Sequence, residues 1–212
     1  MTAAMPLISQ PSAAVTSPRA RVPAGYRGIN HETRGADILA VAEALTLEEL
    51  AEASLAPLKR LTGASTTLLY RHRGGGRLQS IAGELAPAMD SYSPDMYQND
   101  PLQRAPHALP PRPRVVLATQ LVPPRDFHRS AAYADFYRHH DLEHVTCLWL
   151  TERRHAAPGM VGILIGRAAG RDAFGAREAA HLEALLPALS AAVRRSERVE
   201  ALRGGPATAA AQ

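Results

Sequence analysis

The stretch of residues 126–154 constrains the fold more than any other part of the sequence. Within it, residues 130–138 place apolar and aromatic side chains at helical spacing, and Ser130 is a typical N-cap residue because its hydroxyl can accept a hydrogen bond from the first turn. After a polar break at residues 139–141, residues 145–150 are apolar with almost no alternation, which predicts a strand covered on both faces. An amphipathic helix beside such a strand predicts a sheet packed between helices.

The composition indicates one globular domain in a reducing compartment. The chain has 212 residues, of which 46% are hydrophobic and 21% charged, and this suits a single sizeable core. No apolar run approaches the roughly 18 residues that a membrane span needs, and no signal-peptide pattern opens the chain. Cys147 is the lone cysteine and cannot form an internal disulfide. We therefore predict a cytoplasmic protein that has no membrane partner.

The basic charge does not by itself indicate a nucleic-acid partner. The net charge is +4, and Lys59 is the one lysine, so arginine carries nearly all of the positive charge. The arginines are scattered and mixed with acidic residues, whereas a DNA-binding surface shows a basic stripe or a basic recognition helix. We therefore expect no direct nucleic-acid binding by this chain.

The remaining segments complete a pattern of helices and strands. Thr46 and Glu49 form a capping box, which predicts the start of a helix that ends at Gly63. Further strands are predicted at residues 66–73, 78–85, 115–122 and 160–167, with a hairpin loop at the glycines 74–76 and a long helix at residues 175–203. We divide the chain into a flexible leader at residues 1–34, one domain at residues 35–203 and a disordered tail at residues 204–212.

Histidines near the centre of the chain raise the hypothesis of a metal site. His140 and His144 have the i, i+4 spacing that places two ligands on one face of a helix. However, residues 141–143 indicate a turn from helix to strand, and a strand that begins at His144 breaks this geometry. The HExxH pattern of zinc proteases is also absent from the sequence. We interpret these histidines as a surface turn, and we predict neither a metal nor a cofactor.

Two other features could carry enzyme chemistry. Asp126, His128 and Ser130 lie close together in sequence like the members of a catalytic triad. No GxSxG pattern surrounds Ser130, so we assign it to the helix cap instead. Cys147 lies in the middle of the buried strand, which indicates an unreactive core thiol. We therefore predict that the chain is not an enzyme.

A ligand pocket is the functional hypothesis that the residues favour. Aromatic residues make up only 5% of the chain, yet they cluster in its central half, and small-molecule pockets are mostly apolar and aromatic with a few polar groups. The alternative is that these rings only fill the core. We expect the pocket to be lined by Tyr92, Asp100, Tyr133, Tyr137, Cys147 and Trp149.

The second half of the long C-terminal helix is polar on three sides and carries a thin apolar seam. Such a seam suits a helix that pairs with another copy of itself. We therefore predict a homodimer that forms through Leu189, Val193, Val199 and Leu202.

Several motifs, taken in order, resemble a known family. They are Asp100-Pro101-Leu102, the Arg129-Ser130…Tyr133…Phe136 helix, His144 at the head of the buried strand, Gly162…Arg167, Asp172-Ala173-Phe174, and the Glu178…Leu182…Leu185-Leu186-Pro187 helix. None of these motifs is catalytic, and their order and spacing carry the resemblance. Over roughly residues 45–200, the chain resembles the GAF-like sensor region on the N-terminal side of LuxR-type helix-turn-helix transcriptional regulators.

The resemblance implies an α+β, GAF-like fold, with a mostly antiparallel central sheet of about five strands, helices on both faces and a long C-terminal helix. It also implies a pocket for a small effector and control of a DNA-binding module, usually in a dimer. Only nine residues follow Arg203, so we expect either a stand-alone or truncated sensor or a DNA-binding partner chain.

We therefore predict a non-enzymatic sensory domain that binds a small effector or a partner and signals through its C-terminal helix. The alternative is a ligand-free interaction module, or scaffold, that heterodimerises with a full-length regulator.

Overall fold

Five antiparallel strands form one sheet in the computed structural model, which describes residues 31–110, 112 and 114–204. The strands are β1 (Thr66–Gly74), β2 (Arg77–Ala82), β3 (Arg114–Leu117), β4 (His144–Trp149) and β5 (Val161–Arg167), and their order across the sheet is β2-β1-β5-β4-β3. The middle strand, β5, is buried along its whole length. The predicted five-stranded antiparallel sheet is confirmed.

Helices cover the sheet on both faces. On one face lie α1 (His31–Glu43), α2 (Leu47–Thr62) and α8 (Ala176–Gly204). On the other lie the short helices α3 (Pro94–Asn99), α4 (Pro101–Arg104), α5 (Ala118–Leu121), α6 (Pro124–His128) and α7 (Ala131–Asp135), together with 3-10 turns at Ala86–Ser91, Ala105–Ala108 and Tyr137–His140. The chain therefore has the predicted sheet packed between helices.

The sheet separates two hydrophobic cores because successive side chains of a strand point to opposite faces. Leu69, Leu148 and Ile163 belong to the core beneath the long helices α2 and α8. Leu68 and Leu164, their neighbours by one position on β1 and β5, belong to the core beneath the short helices. The aromatic residues of the central half lie almost entirely in this second core.

The capping box predicted for α2 is confirmed. The Thr46 side chain accepts a hydrogen bond from the Glu49 amide at 3.1 Å, and the Glu49 carboxylate accepts one from the Leu45 amide at 2.7 Å. At the other end, Gly63 adopts a left-handed conformation with φ 63°, and its amide bonds to the Lys59 carbonyl. A glycine is suited to this position because it has no Cβ to clash.

The single helix predicted at residues 130–138 is replaced by α7 and a separate 3-10 turn. Its start is correct, because the Ser130 hydroxyl accepts from the Tyr133 amide at 3.1 Å. The helix ends early because Phe136 leaves helical geometry, with φ −130° and ψ −66°. The break allows Phe136 and Tyr137 both to be buried at 2% exposure, although they would point about 100° apart on a continuous helix.

Two strands are shorter than predicted. The third strand ends at Leu117 instead of residue 122, because the chain turns there into the short helix α5. Pro123 and Pro124 follow α5 and cannot donate the hydrogen bonds that would continue the strand. The second strand ends at Ala82 instead of residue 85, because Gly83 takes φ 125°. This conformation is open only to glycine and takes the chain out of the ladder.

Glycines on β5 allow close packing, as the sequence indicates. A Cβ on Gly162 would lie 2.5 Å from the Tyr70 hydroxyl oxygen, so this glycine is required for the Tyr70 ring to lie across the strand. A Cβ on Gly166 would clash with the Leu142 side chain. At both positions, the lack of a Cβ makes room for a neighbouring side chain.

The dimerisation residues predicted on α8 do not form one exposed seam. Leu189 and Val193 are 2% and 0% exposed because they pack in the core of the same chain, so the prediction that they contact a second copy is wrong. Val199 is half-buried, whereas Leu202 is 81% exposed. Among the described residues, no helix is both long and apolar enough to span a bilayer.

The first helix begins before the predicted domain boundary. Helix α1 starts at His31, so residues 31–34 of the predicted leader are helical. The rest of that leader and residues 205–212 of the predicted tail lie outside the described residues.

Candidate ligand-binding site

A narrow cleft lies on the face of the sheet that the short helices cover. Its floor is formed by side chains of β1, β3, β4 and β5, among them Tyr70, Val116, Cys147 and Trp149, and its roof by residues of the segment 102–137. The empty space between them is ≈ 370 Å³, part of it open to solvent. The lining includes no lysine or arginine. The cleft therefore has an apolar and aromatic surface without a positive charge.

Asp100 is completely buried and is connected to this cleft through Tyr137, which lines it. Its Oδ1 accepts from the Leu102 amide at 2.8 Å and so caps α4. Its Oδ2 accepts from the hydroxyls of Tyr137, at 2.6 Å, and of Tyr92. Burial raises the pKa of Asp100, and these hydrogen bonds oppose that rise because they stabilise the carboxylate. The site therefore holds a buried carboxyl group fixed by three donors.

The tyrosines around Asp100 are held by edge-to-face aromatic contacts. The Tyr92 ring lies 4.8 Å from Phe136 and 6.4 Å from Tyr97, and Phe136 lies 5.6 Å from Tyr137. Such contacts stabilise rings at fixed angles. Burial raises the pKa of Tyr92, Tyr97 and Tyr137, so their hydroxyls remain protonated and can donate.

Cys147 and Trp149 lie side by side on β4 and face the cleft. Burial raises the pKa of the Cys147 thiol to about 12. The group therefore stays protonated near neutral pH, as expected of an unreactive thiol. The Trp149 ring stacks on the His155 ring, with centroids 4.8 Å apart and an interplanar angle of 27°. The guanidinium carbon of Arg114 lies over the Trp149 ring, 5.9 Å from the ring centroid.

Two histidines that the sequence analysis did not select meet at one end of the cleft, where His155 lines it and His72 packs against the His155 ring. His72 on β1 and His155 in the loop between β4 and β5 are 1% and 7% exposed. Their ring centroids are 5.3 Å apart, and the exposed His107 ring lies 5.6 Å from His155. Burial and the neighbouring histidines lower the pKa of His72 to about 3 and that of His155 to about 4. Both rings are therefore neutral near neutral pH.

A sequence signal existed for one of these histidines. His72 follows Leu68 and Tyr70 in the alternation of β1, which places it on the same face of the sheet. His155 lies in an irregular segment, and no periodicity indicates which way it faces.

The predicted pocket residues are divided between two places. Tyr92, Asp100 and Tyr137 share hydrogen bonds, and Tyr137, Cys147 and Trp149 line the same cleft. Tyr133 instead donates to the Glu143 carboxylate and packs on Phe127 and His128, outside this cleft. Tyr133 and Tyr137 therefore point to different places, because the helix break at Phe136 separates Tyr137 from the helix that carries Tyr133.

The histidines of the metal hypothesis lie at separate contacts. The His140 ring packs on Phe136 at 4.6 Å, and His144 Nε2 lies 2.8 Å from the Arg171 carbonyl. Within the described parts of the chain, no group of three or more His, Cys, Asp or Glu side chains is placed to hold a metal ion.

Ion pairs connect the histidine end of the cleft to the last turns of α8. Arg71, next to His72, bonds to Glu200 at 2.8 Å, and Arg153, two residues before His155, lies 3.5 Å from Glu197. Arg71 points to the α8 side of the sheet because strand side chains alternate. Residues on the cleft side of the sheet, His72 and His155, are thus near neighbours in sequence of residues that bond to α8, Arg71 and Arg153.

No protein-family model and no curated protein matches the sequence. Solved structures do match. The ligand-binding domain of VqsR from Pseudomonas aeruginosa superposes with a TM-score of 0.61 at 15% identity, over 79% of this chain and 96% of that one. The N-acylhomoserine lactone dependent LuxR family factor CepR2 from Burkholderia cenocepacia gives 0.53 at 19% identity, over 78% and 94%.

A third structure is a chromophore-binding domain. The chromophore-binding domain of the bacteriophytochrome RpBphP3 from R. palustris gives a TM-score of 0.54 at 16% identity, over 82% of this chain and 64% of that one. The fold is GAF-like. At these identities the GAF-like fold is what the similarity establishes, and it confirms both the predicted fold class and the resemblance that the motifs carry.

Proposed function

We propose that this chain is the sensory domain of a LuxR-type transcriptional regulator, which binds a small effector in the cleft and signals through α8. The observation that carries the proposal is Asp100, a buried carboxyl group bonded to Tyr137 of the apolar cleft. It is held by two tyrosine hydroxyls and by no cation within the described residues. Burying such a group is costly, and clefts with a few fixed polar groups are typical ligand sites. The similar structures include two regulator domains, which supports the same function.

The cleft favours an effector with an apolar body. Val116, Leu121 and Leu164 line it, together with the Trp149 ring, and its lining contains no lysine or arginine. An apolar ligand would bind mainly through the burial of its surface. The free lone pairs of the site would then select its polar group.

The signal is proposed to pass to α8 through the ion pairs of Arg71 and Arg153. Effector binding shifts the conformation of α8 only if the effector binds one arrangement more tightly than another. Arg71 and Arg153 flank the histidine end of the cleft, so a displacement there changes their distances to Glu200 and Glu197. A cytoplasmic homodimer that pairs with a DNA-binding domain, in the same protein or on a partner chain, would convert this shift into regulation.

The dimer contact must differ from the one predicted from the sequence. Leu202 is 81% exposed at the end of α8, and Ile38 and Leu39 on α1 are 47% and 59% exposed. With Leu45, which is 45% exposed, these side chains are the exposed large apolar residues of the described surface and are available to a second copy. We therefore propose that Leu202, and not Leu189 or Val193, contributes to the interface.

Native mass spectrometry of protein purified from a cytoplasmic host tests the proposed effector site. We expect an adduct of on the order of a few hundred daltons, the size of a ligand that such clefts hold. The variant Leu121→Trp, which fills the cleft, should lose the adduct, whereas Leu39→Trp, at an exposed position on α1, should retain it.

Two results would contradict the proposal. An adduct that persists in Leu121→Trp would place the ligand elsewhere. A protein without adduct that exchanges subunits with a full-length regulator would favour the ligand-free interaction module instead.

A further inference from the structure

His72 and His155 bear buried ring nitrogens that have no hydrogen-bond partner among the described residues. These atoms are His72 Nε2 and His155 Nδ1. The two rings meet edge to face with centroids 5.3 Å apart, and His155 lines the cleft. Buried polar groups are nearly always paired, so two unpaired nitrogens on adjacent rings call for an explanation. Since neither the packing nor the ion pairs described above use them, they are available to a bound molecule.

The partners of the other ring nitrogens determine which of these atoms donates. His155 Nε2 lies 3.1 Å from the Gln103 side-chain oxygen, which can only accept, so this nitrogen carries the ring proton and Nδ1 is an acceptor. His72 Nδ1 lies 3.5 Å from the Tyr97 hydroxyl. With the Tyr97 hydroxyl donating to this nitrogen, the proton of the His72 ring is on Nε2, which is then a donor.

We propose that His72 and His155 form a hydrogen-bonding subsite for one uncharged polar group of the effector, such as a hydroxyl. The group would donate to His155 Nδ1 and accept from His72 Nε2, and the apolar body of the effector would extend along the cleft. This inference rests on the proposed function, because it names the polar chemistry that the same cleft selects. It makes His72 and His155 specificity-determining residues.

Other roles for this histidine pair fit the structure less well. A metal ion would need further ligands, and no group of three or more suitable side chains is placed for this within the described residues. An anion would require a positive charge, but the cleft lining has no basic side chain and both imidazoles are neutral near neutral pH. An uncharged group that both donates and accepts a hydrogen bond matches one acceptor nitrogen on His155 and one donor nitrogen on His72.

A set of three six-carbon probes tests the subsite. Hexan-1-ol, hexanoate and hexylammonium have similar apolar chains but carry a hydroxyl, a negative charge and a positive charge. Trp149 is the only tryptophan of the chain and stacks on His155, so its fluorescence reports binding directly. We expect hexan-1-ol to bind the wild-type protein more tightly than either ion, and to shift the ring-nitrogen NMR signals of both histidines.

Replacing each histidine by an apolar ring separates recognition from folding. His72→Phe and His155→Phe should each weaken the binding of hexan-1-ol by about tenfold, the effect of one lost hydrogen bond. His139→Phe, at an exposed position, is the matched control and should bind as the wild type does. Each variant removes an unsatisfied ring nitrogen and also the contact of the other ring nitrogen with Tyr97 or Gln103. Urea denaturation therefore checks that each variant still folds.

The outcomes distinguish this inference from the proposed function. Equal binding of hexan-1-ol by the wild type and both variants would overturn the subsite but leave the effector cleft in place. No fluorescence response of the wild type to any of the three probes would overturn both. Unchanged histidine ring-nitrogen signals in the wild type on addition of hexan-1-ol would overturn the subsite independently of how the variants fold.

Discussion

Replacing Asp100 by alanine should remove a large share of the stability of the domain. The change leaves the buried hydroxyls of Tyr92 and Tyr137 without their acceptor, at about 1–3 kcal/mol each, and removes the N-cap of α4, at about 1 kcal/mol. Relief of the buried carboxylate offsets part of this loss. We therefore expect the free energy of unfolding to fall by about 3 kcal/mol, out of the roughly 5–15 kcal/mol typical of a domain.

Urea denaturation followed by Trp149 fluorescence and by circular dichroism measures this loss. Asp95→Ala is the matched control, because Asp95 is an exposed aspartate on the neighbouring helix α3, and its replacement should change the free energy of unfolding by less than about 0.5 kcal/mol. Asp100→Asn retains one acceptor oxygen and should fall between the two. Comparing Asp100→Asn with Asp100→Ala separates the effect of the lost hydrogen bonds from the effect of the lost side-chain volume.

A double-mutant cycle with Tyr137→Phe decides whether the hydrogen bond carries the effect. In the wild type, Tyr137→Phe should lower the free energy of unfolding by about 1 kcal/mol, because one hydrogen bond is lost. In the Asp100→Ala background the same change should be neutral or stabilising, since it removes a hydroxyl that has no partner. An equal loss in both backgrounds would refute the reasoning.

Three further predictions concern other parts of the structure. The folded pKa values of His72 and His155, about 3 and about 4, lie below the ordinary 6.5. The unfolded chain therefore binds more protons than the folded chain below pH 6.5, and the free energy of unfolding should fall on acidification by up to about 1.4 kcal/mol per pH unit for each histidine. Urea titrations at several pH values should show a smaller fall for the variant in which phenylalanine replaces both His72 and His155. Gly162→Ala should lower the free energy of unfolding by about 1–3 kcal/mol because its Cβ meets Tyr70, and unchanged urea resistance would show that the ring can move. Arg71→Gln should change stability by less than about 1 kcal/mol but accelerate amide hydrogen exchange in the last turns of α8, which mass spectrometry can follow.

Much of the fold could be predicted because its signals are local. The caps at Thr46 and Ser130 depend on a side chain three residues from its partner, and the hairpin depends on the glycines 74–76. The buried strands show their apolar residues directly. The break at Phe136 could not be predicted, because it depends on how two adjacent rings fill a core made by other elements.

The candidate site was less accessible to sequence reasoning. A shared helical face predicts that Tyr133 and Tyr137 point the same way, and the break after Asp135 removes that relation. Leu189 and Val193 follow a pattern that is the same whether a helix packs on its own domain or on a second copy. His72 and His155 come together only through the pairing of β1 with β5, a contact between distant parts of the chain.

The alternation of β1 places neighbouring residues on opposite faces of the sheet. His72 lies on the face that carries the cleft, and Arg71, one residue earlier, lies on the α8 face and bonds to Glu200. Hydrogen bonds to β5 and β2 hold the backbone of β1, so a displacement of the backbone at His72 would also move Arg71. The loop between β4 and β5 has a similar arrangement, because its Arg153 pairs with Glu197 of α8 while its His155 stacks on Trp149 in the cleft. In the proposed function, an effector that displaces the backbone at the histidine end of the cleft would therefore act on both ion pairs to α8.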